Sequence, residues 1–142
     1  MKSPHGLKKN TMEKQAALDL LEFIHESPTA FHAVQQIKQR LLANGFKQLF
    51  SGEAWHIEHG GKYFVTKNHS SLYAFVPGNG NIAEEGFKLI CAHSDSPTFK
   101  IKPQAEMLVE GKYLKLNTEV YGGPIMYTWF DRPLSLAGRV ML

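Results

Sequence analysis

At Gly45 the repeat of the apolar residues changes from 3.6 to 2, and this change directs the chain to an α/β fold. Before Gly45 the pattern predicts two helices. Asn10 can cap the first, with Glu13 completing a capping box. Ala17, Leu20, Leu21 and Ile24 then form one apolar stripe. Ser27-Pro28 ends that helix, because proline disfavours helical backbone at the residue before it. Pro28 also suits the first turn of a second helix, whose buried stripe is Phe31, Val34, Ile37 or Lys38, Leu41 and Leu42. Asn44-Gly45 stops it, since glycine readily takes the left-handed cap conformation.

After Gly45 the chain reads as strands. Phe46 to Phe50 is short. Trp55 and Ile57 pair with Tyr63 to Thr66 across Gly60-Gly61 as a hairpin, and Ser71 to Val76 follows. Pro77 to Gly86 is a loop. Phe87 to Ala92 is apolar except for Lys88, the pattern of a strand covered on both faces. Beyond Pro103 every element reads as β: Met107 to Val109 against Lys112 to Leu116 across Glu110-Gly111, then Tyr127 to Phe130 and Leu134 to Leu142. Tyr121-Gly122-Gly123-Pro124 is a turn. The shift from mixed α and β to β alone puts a domain boundary near Pro103.

Composition narrows the function classes. The 142 residues, 43% hydrophobic and 20% charged, match a globular chain, expected to bury roughly two thirds of its unfolded surface. No apolar run approaches the roughly 18 residues of a membrane span. Met1 to Asn10 is polar and basic with no apolar stretch behind it, so no secretory signal is read. The single cysteine, Cys91, excludes an internal disulfide, and a cytoplasmic protein is expected. The net charge of +3 comes from scattered pairs such as Lys8-Lys9 and Lys100 with Lys102, which read as solvated surface rather than as a nucleic-acid face. The last stretch ends on three apolar residues, Val140, Met141 and Leu142, and reads as cut from something longer.

His93 directly follows the apolar strand, and in open α/β sheets ligands bind beyond the carboxyl ends of strands. On an extended backbone His93 and Asp95 would face the same side. A metal-bound imidazole commonly has its second ring nitrogen held by a carboxylate or carbonyl, so His-x-Asp can supply a ligand and its orienting neighbour. From spacing alone, a buried histidine held by a hydrogen bond or an exposed turn histidine is the commoner outcome.

The segment His93-Ser94-Asp95-Ser96-Pro97 resembles the His-Thr-Asp-Ser-Pro signature of the aspartyl aminopeptidase family, metallopeptidase family eighteen. Ser27-Pro28-Thr29-Ala30-Phe31-His32-Ala33-Val34 is similar to its N-terminal Ser-Pro-x-x-Phe-His-Ala-Val motif. A third resemblance runs from Tyr121-Gly122-Gly123-Pro124-Ile125 through Thr128-Trp129-Phe130-Asp131-Arg132-Pro133 to Val140. Pro124 and Pro133 stand where many eukaryotic members have glycine and aspartate, which reads as a bacterial-type variant. The resemblance implies an α/β fold: residues 1–103 as the N-terminal part of an α/β/α zinc-exopeptidase domain, and 104–142 as the start of an inserted β-rich oligomerisation domain. It implies a two-zinc aminopeptidase acting on peptides by metal-activated water, assembled as a homo-oligomeric dodecamer; the scattered charge and the lack of an apolar span lead to no expected nucleic-acid or membrane partner. Carried over, His93 is a zinc ligand and Asp95 its orienting carboxylate. The bridging aspartate, the Glu-Glu pair with the general base and the last histidine lie beyond Leu142 in the family, so this chain is expected to be inactive alone. A non-enzymatic assembly module that binds full-length subunits is the alternative.

The remaining candidates have weaker claims. Glu84-Glu85 reads as a solvated loop pair, not as the family's Glu-Glu. His56 and His59 flank the expected hairpin turn on opposite faces, His5 lies in the N-terminal end, His25 ends a helix and His69 sits in a turn. His32 belongs to a polar helix face. Asp131 and Arg132 suit an ion pair at a subunit contact or a lining of the peptide site equally well.

Overall fold

A computed structural model describes residues 4–142, with side chains from residue 11 onward. The elements are α1 (Pro4–His25), α2 (Ala30–Ala43), β1 (Lys47–Leu49), β2 (Tyr63–Lys67), β3 (Ser71–Phe75), α3 (Ile82–Glu85), β4 (Thr98–Val109) and β5 (Tyr113–Tyr121), followed by a 3-10 turn, Met126–Trp129. The chain is α/β, with a mixed three-stranded sheet and a two-stranded hairpin. Residues 1–94 with 137–142 form one compact unit, and residues 95–136 form a second.

In the first unit, α1 begins at Pro4, upstream of the expected cap; the side chains of Asn10 and His5 lie outside the described residues. The stripe expected to be buried is open: Leu20, Leu21 and Ile24 are all exposed. What joins α1 to α2 is polar. Arg40 donates from Nη1 to Asp19 Oδ2 at 2.8 Å and from Nη2 to Oδ1 at 2.9 Å, and its guanidinium lies 5.1 Å from the Phe23 ring centroid. The Asp19 carboxylate, by hydrogen bond first and charge second, holds Arg40 above its ordinary value. The start of α2 falls at Thr29 rather than Pro28. The Thr29 Oγ1 accepts from the His32 amide, and its backbone is extended, as an N-cap requires. Its end is as expected: Asn44 caps, and Gly45 takes φ +80°.

The sheet differs from the expected hairpin for a topological reason. β1 and β2 are parallel, pairing Lys47 with Tyr63 and Leu49 with Val65. Parallel neighbours need a crossover, so residues 50–62 are spent returning the chain, and Trp55 and Ile57 lie in that connection instead of in a strand. The hairpin is β2–β3. It turns at Asn68 and His69, whose φ values of 53° and 57° lie in the left-handed region that tight hairpin turns favour. Asparagine tolerates that region better than most residues.

Ala33, Val34, Tyr63 and Phe64 are the buried apolar residues among those described, with Phe64 fully enclosed. The Phe75 ring gathers Tyr63 at 5.7 Å, Tyr73 at 5.6 Å and Trp55 at 6.4 Å between centroids. The chain leaves 12570 Å² accessible. A folded monomer of its 16.0 kDa would expose roughly 7,400 Å², against roughly 23,000 Å² unfolded. It therefore buries nearer one half than the expected two thirds. Two segments read as strands are among the exposed parts. Phe87–Ala92 stands outside both sheets, with Phe87 78% and Ile90 97% exposed, and residues 134–142 are likewise unpaired and exposed. A strand covered on both faces needs neighbours along both edges and layers above and below, and the described residues supply neither here. Glu84 and Glu85, read as loop, form a single helical turn capped by Asn81 and are exposed.

In the second unit, β4 and β5 pair from Val109↔Tyr113 to Thr98↔Tyr121. The expected turn is present, with Glu110 at φ 54° and Gly111 at φ 64°. The ladder breaks between Ile101 and Glu106. Pro103 lies in that break, where a residue without an amide hydrogen does no harm to the ladder. Asn117 Nδ2 donates to the Gln104 carbonyl at 3.2 Å across it. Tyr127 to Phe130, expected to be extended, instead contributes to the 3-10 turn, and Trp129 meets Phe99 edge-on at 5.4 Å.

Candidate functional site

The His93-x-Asp95 segment is held at Ser94 and at Asp95. In the first unit, Ser94 Oγ donates to the Ser70 carbonyl at 2.8 Å, which anchors the residue after His93 to the end of the β2–β3 turn. In the second unit, the Tyr121 hydroxyl donates to Asp95 Oδ2 at 2.5 Å. The hairpin presents that hydroxyl because Tyr121 closes the ladder opposite Thr98. Gly122, at φ 73°, follows directly, and a Cβ there would stand 3.4 Å from Pro97. The Tyr121-Gly122 corner thus fits closely over the Asp95-to-Pro97 stretch. The chain bends at Ser94, so strand alternation does not carry over to His93 and Asp95. Both are exposed.

Tyr121 is the residue that sequence reasoning missed. Its only signal was its place at the head of the Tyr-Gly-Gly-Pro turn, where it reads as turn chemistry. The hydrogen bond to Asp95, then that carboxylate's charge, then desolvation raise the Tyr121 phenol above its ordinary value of 10.0. The sign follows directly. A pKa raised in the folded state means that the bond's contribution is complete below about pH 10 and is lost as pH rises through the higher folded value. In an ultraviolet titration of tyrosinate, a late component is expected, and Tyr121→Phe is expected to remove it. A single unshifted transition would refute this.

The other candidates do not converge. His59 Nδ1 lies 2.7 Å from the Gly78 carbonyl, and both His56 and His59 are exposed in the crossover rather than beside a hairpin turn. His32 Nδ1 lies 2.8 Å from Thr29 Oγ1, a helix-capping arrangement. His25 ends α1 and His69 occupies the β2–β3 turn, as expected. Arg132 Nη1 donates to the Thr128 carbonyl at 3.4 Å. The groove of about 440 Å³ beside Asp19, Glu22 and Glu26 is bridged by Arg40. Among the described residues no three His, Cys, Asp or Glu side chains gather as a metal cluster. A catalytic zinc takes three protein ligands. The imidazole of His93 and the carboxylate of Asp95 suit a ligand and its orienting partner, and they stop short of a complete donor set.

Comparison with known proteins points to one family. The family model described as Aminopeptidase I zinc metalloprotease (M18) matches residues 23–142. The probable M18 family aminopeptidase 2 of Clostridium novyi is 61% identical over 126 residues, covering 89% of this chain and 29% of the relative. The protein of the same name from Clostridium acetobutylicum is 55% identical over 128 residues, covering 90% and 30%. The chain therefore spans less than a third of the length of these curated relatives. Among solved structures, the Ape4 and Nbr1 complex matches at TM-score 0.77 and 44% identity, covering 84% of this chain and 23% of that one. The S. cerevesiae mApe1 dodecamer matches at TM-score 0.73 and 31% identity, covering 82% and 27%. With motifs, fold and family model in agreement over most of its length, this chain belongs to the M18 family of aminopeptidase I zinc metalloproteases.

Proposed function

We propose that this chain supplies one corner of a zinc-dependent aminopeptidase that removes N-terminal residues from peptides. The observation that carries the reading is the anchored His93-Ser94-Asp95 segment, held through Ser94 and Asp95, in a chain of this family. In this reading His93 is a metal ligand of a two-zinc centre and Asp95 orients its ring. Bound zinc supplies a water of lowered pKa as the nucleophile. The chain's own contribution is positional: Tyr121 holds Asp95, Asp95 holds the His93 imidazole in one tautomer, and the ring offers its other nitrogen to the metal. The β4–β5 hairpin supports an inserted β-rich domain following the catalytic part; the boundary expected at residues 103/104 falls inside β4, so the insertion opens before it. The complete protein is a cytoplasmic homo-oligomer, a dodecamer as in the solved S. cerevesiae relative, and the single exposed Cys91 suits a reducing compartment.

The test compares residues 1–142 with a family-length polypeptide that carries the same segment. The short chain is expected to hydrolyse no aminoacyl p-nitroanilide with added zinc, cobalt or manganese, whereas the long one turns it over. Zinc-dependent turnover by residues 1–142 would overturn the ligand assignment. The large uncovered apolar surface favours a second reading, an assembly module that binds full-length subunits. Stable co-purification of the inactive short chain with a long one would support that role; a chain that stays monomeric beside it would not.

A further inference from the structure

We propose that Tyr121 is a positioning residue: its hydroxyl fixes the rotamer of Asp95, so that the β4–β5 hairpin sets the orientation of the carboxylate beside the metal ligand. The proposal rests on the reading of Asp95 as the orienting carboxylate. Three observations within the second unit carry it. The Tyr121 hydroxyl donates to Asp95 Oδ2 at 2.5 Å, a short charge-assisted bond. The Thr98↔Tyr121 pair terminates the ladder three residues from Asp95, so the donor sits on a strand rather than on a loose loop. The Lys100 ammonium lies 5.9 Å from the Tyr121 ring centroid and packs the ring from its own side of the hairpin.

Asp95 is exposed, and an exposed carboxylate without a strong donor samples several rotamers. A donor on a strand removes that freedom at the oxygen it holds. The consequence is a division of labour. The hairpin holds part of the orienting apparatus. Outer partners of metal ligands are worth about 10–100-fold in metal affinity. Tyr121 stands one step further out, so about tenfold is the effect to expect.

The test uses ring-nitrogen NMR of the 142-residue chain, with His93 assigned by the signal lost in His93→Gln. Asp95→Asn and Tyr121→Phe are both expected to displace the His93 signals in the same sense. Tyr113→Phe, at the opposite end of the hairpin, is expected to leave them unmoved. In the family-length polypeptide, competition with a chromogenic chelator is expected to show zinc held about tenfold more weakly after Tyr121→Phe. If Asp95→Asn moves His93 and Tyr121→Phe does not, the Tyr121 role is overturned and the Asp95 reading stands. If Asp95→Asn leaves His93 unmoved, the Asp95 reading itself fails and takes this proposal with it. A loss of thermal stability alone after Tyr121→Phe, with His93 signals and zinc affinity unchanged, marks a merely structural bond and overturns the proposal. Should Tyr121→Phe lose the hairpin, the wild-type spectrum decides: a slowly exchanging Tyr121 hydroxyl proton correlated with Asp95 supports the role, and its absence at low temperature overturns it.

Discussion

His93→Ala, placed in a family-length polypeptide carrying this segment, is expected to lower kcat/KM by more than about a thousandfold and to release zinc. The magnitude follows from a comparison of shells. Loss of an outer partner, the role proposed for Asp95, costs about 10–100-fold, because the ligand remains and only its orientation loosens. Loss of the imidazole removes a donor outright from a centre that needs three. Asp95→Asn is the internal control: it keeps the shape of the side chain and is expected to fall within that smaller range. Metal content, measured beside activity, separates a missing ligand from a misfolded chain. A His93→Ala enzyme that keeps full zinc occupancy and near-normal turnover would remove His93 from the metal centre.

Phe64→Ala is expected to destabilise the first compact unit by about 3–5 kcal/mol, the usual range for truncating a buried phenylalanine. In most domains such a loss is spread over a deep core. Here Phe64 is fully enclosed and only Ala33, Val34 and Tyr63 join it as buried apolar residues among those described. Whole domains are stable by about 5–15 kcal/mol, and a unit with so thin a core lies toward the low end. The variant should therefore lose the cooperative transition of the β1–β2–β3 sheet in thermal or urea unfolding. Leu20→Ala, on the exposed face of α1, should change that transition little in the short chain. Equal effects of the two substitutions would show that the buried cluster is not where stability resides.

Local signals carried far into the fold. Asn44-Gly45 ended α2 where expected because a left-handed cap is a one-residue requirement that glycine meets in any context. Glu110-Gly111 closed β4–β5 for the same reason. β1 and β3 fell within a residue or two of their expected bounds. The errors share another cause. His69 reads as a turn residue, but the hairpin is expected at the stronger glycine pair Gly60-Gly61, and only the parallel pairing of β1 with β2 shows that Gly60-Gly61 lies in a crossover. The apolar stripe of α1 and the run Phe87–Ala92 advertise burial correctly as a chemical preference. Whether burial is realised depends on layers that must come from elsewhere, and these residues remain open.

The candidate site divides along the same line. The segment His93-Ser94-Asp95-Ser96-Pro97, its place in a family and the chemistry of imidazole and carboxylate were legible residue by residue, because a motif is a local property. The anchors were not. Ser70 lies 24 positions from Ser94, and Tyr121 lies 26 from Asp95. No periodicity or spacing rule links residues so far apart. Their meeting depends on where two hairpins turn and on the register in which β4 and β5 pair. The sequence by itself determined which groups could do the chemistry. Tertiary structure decided which of them are held, because hydrogen bonds between distant residues exist only after the backbone has brought donor and acceptor within about 3 Å.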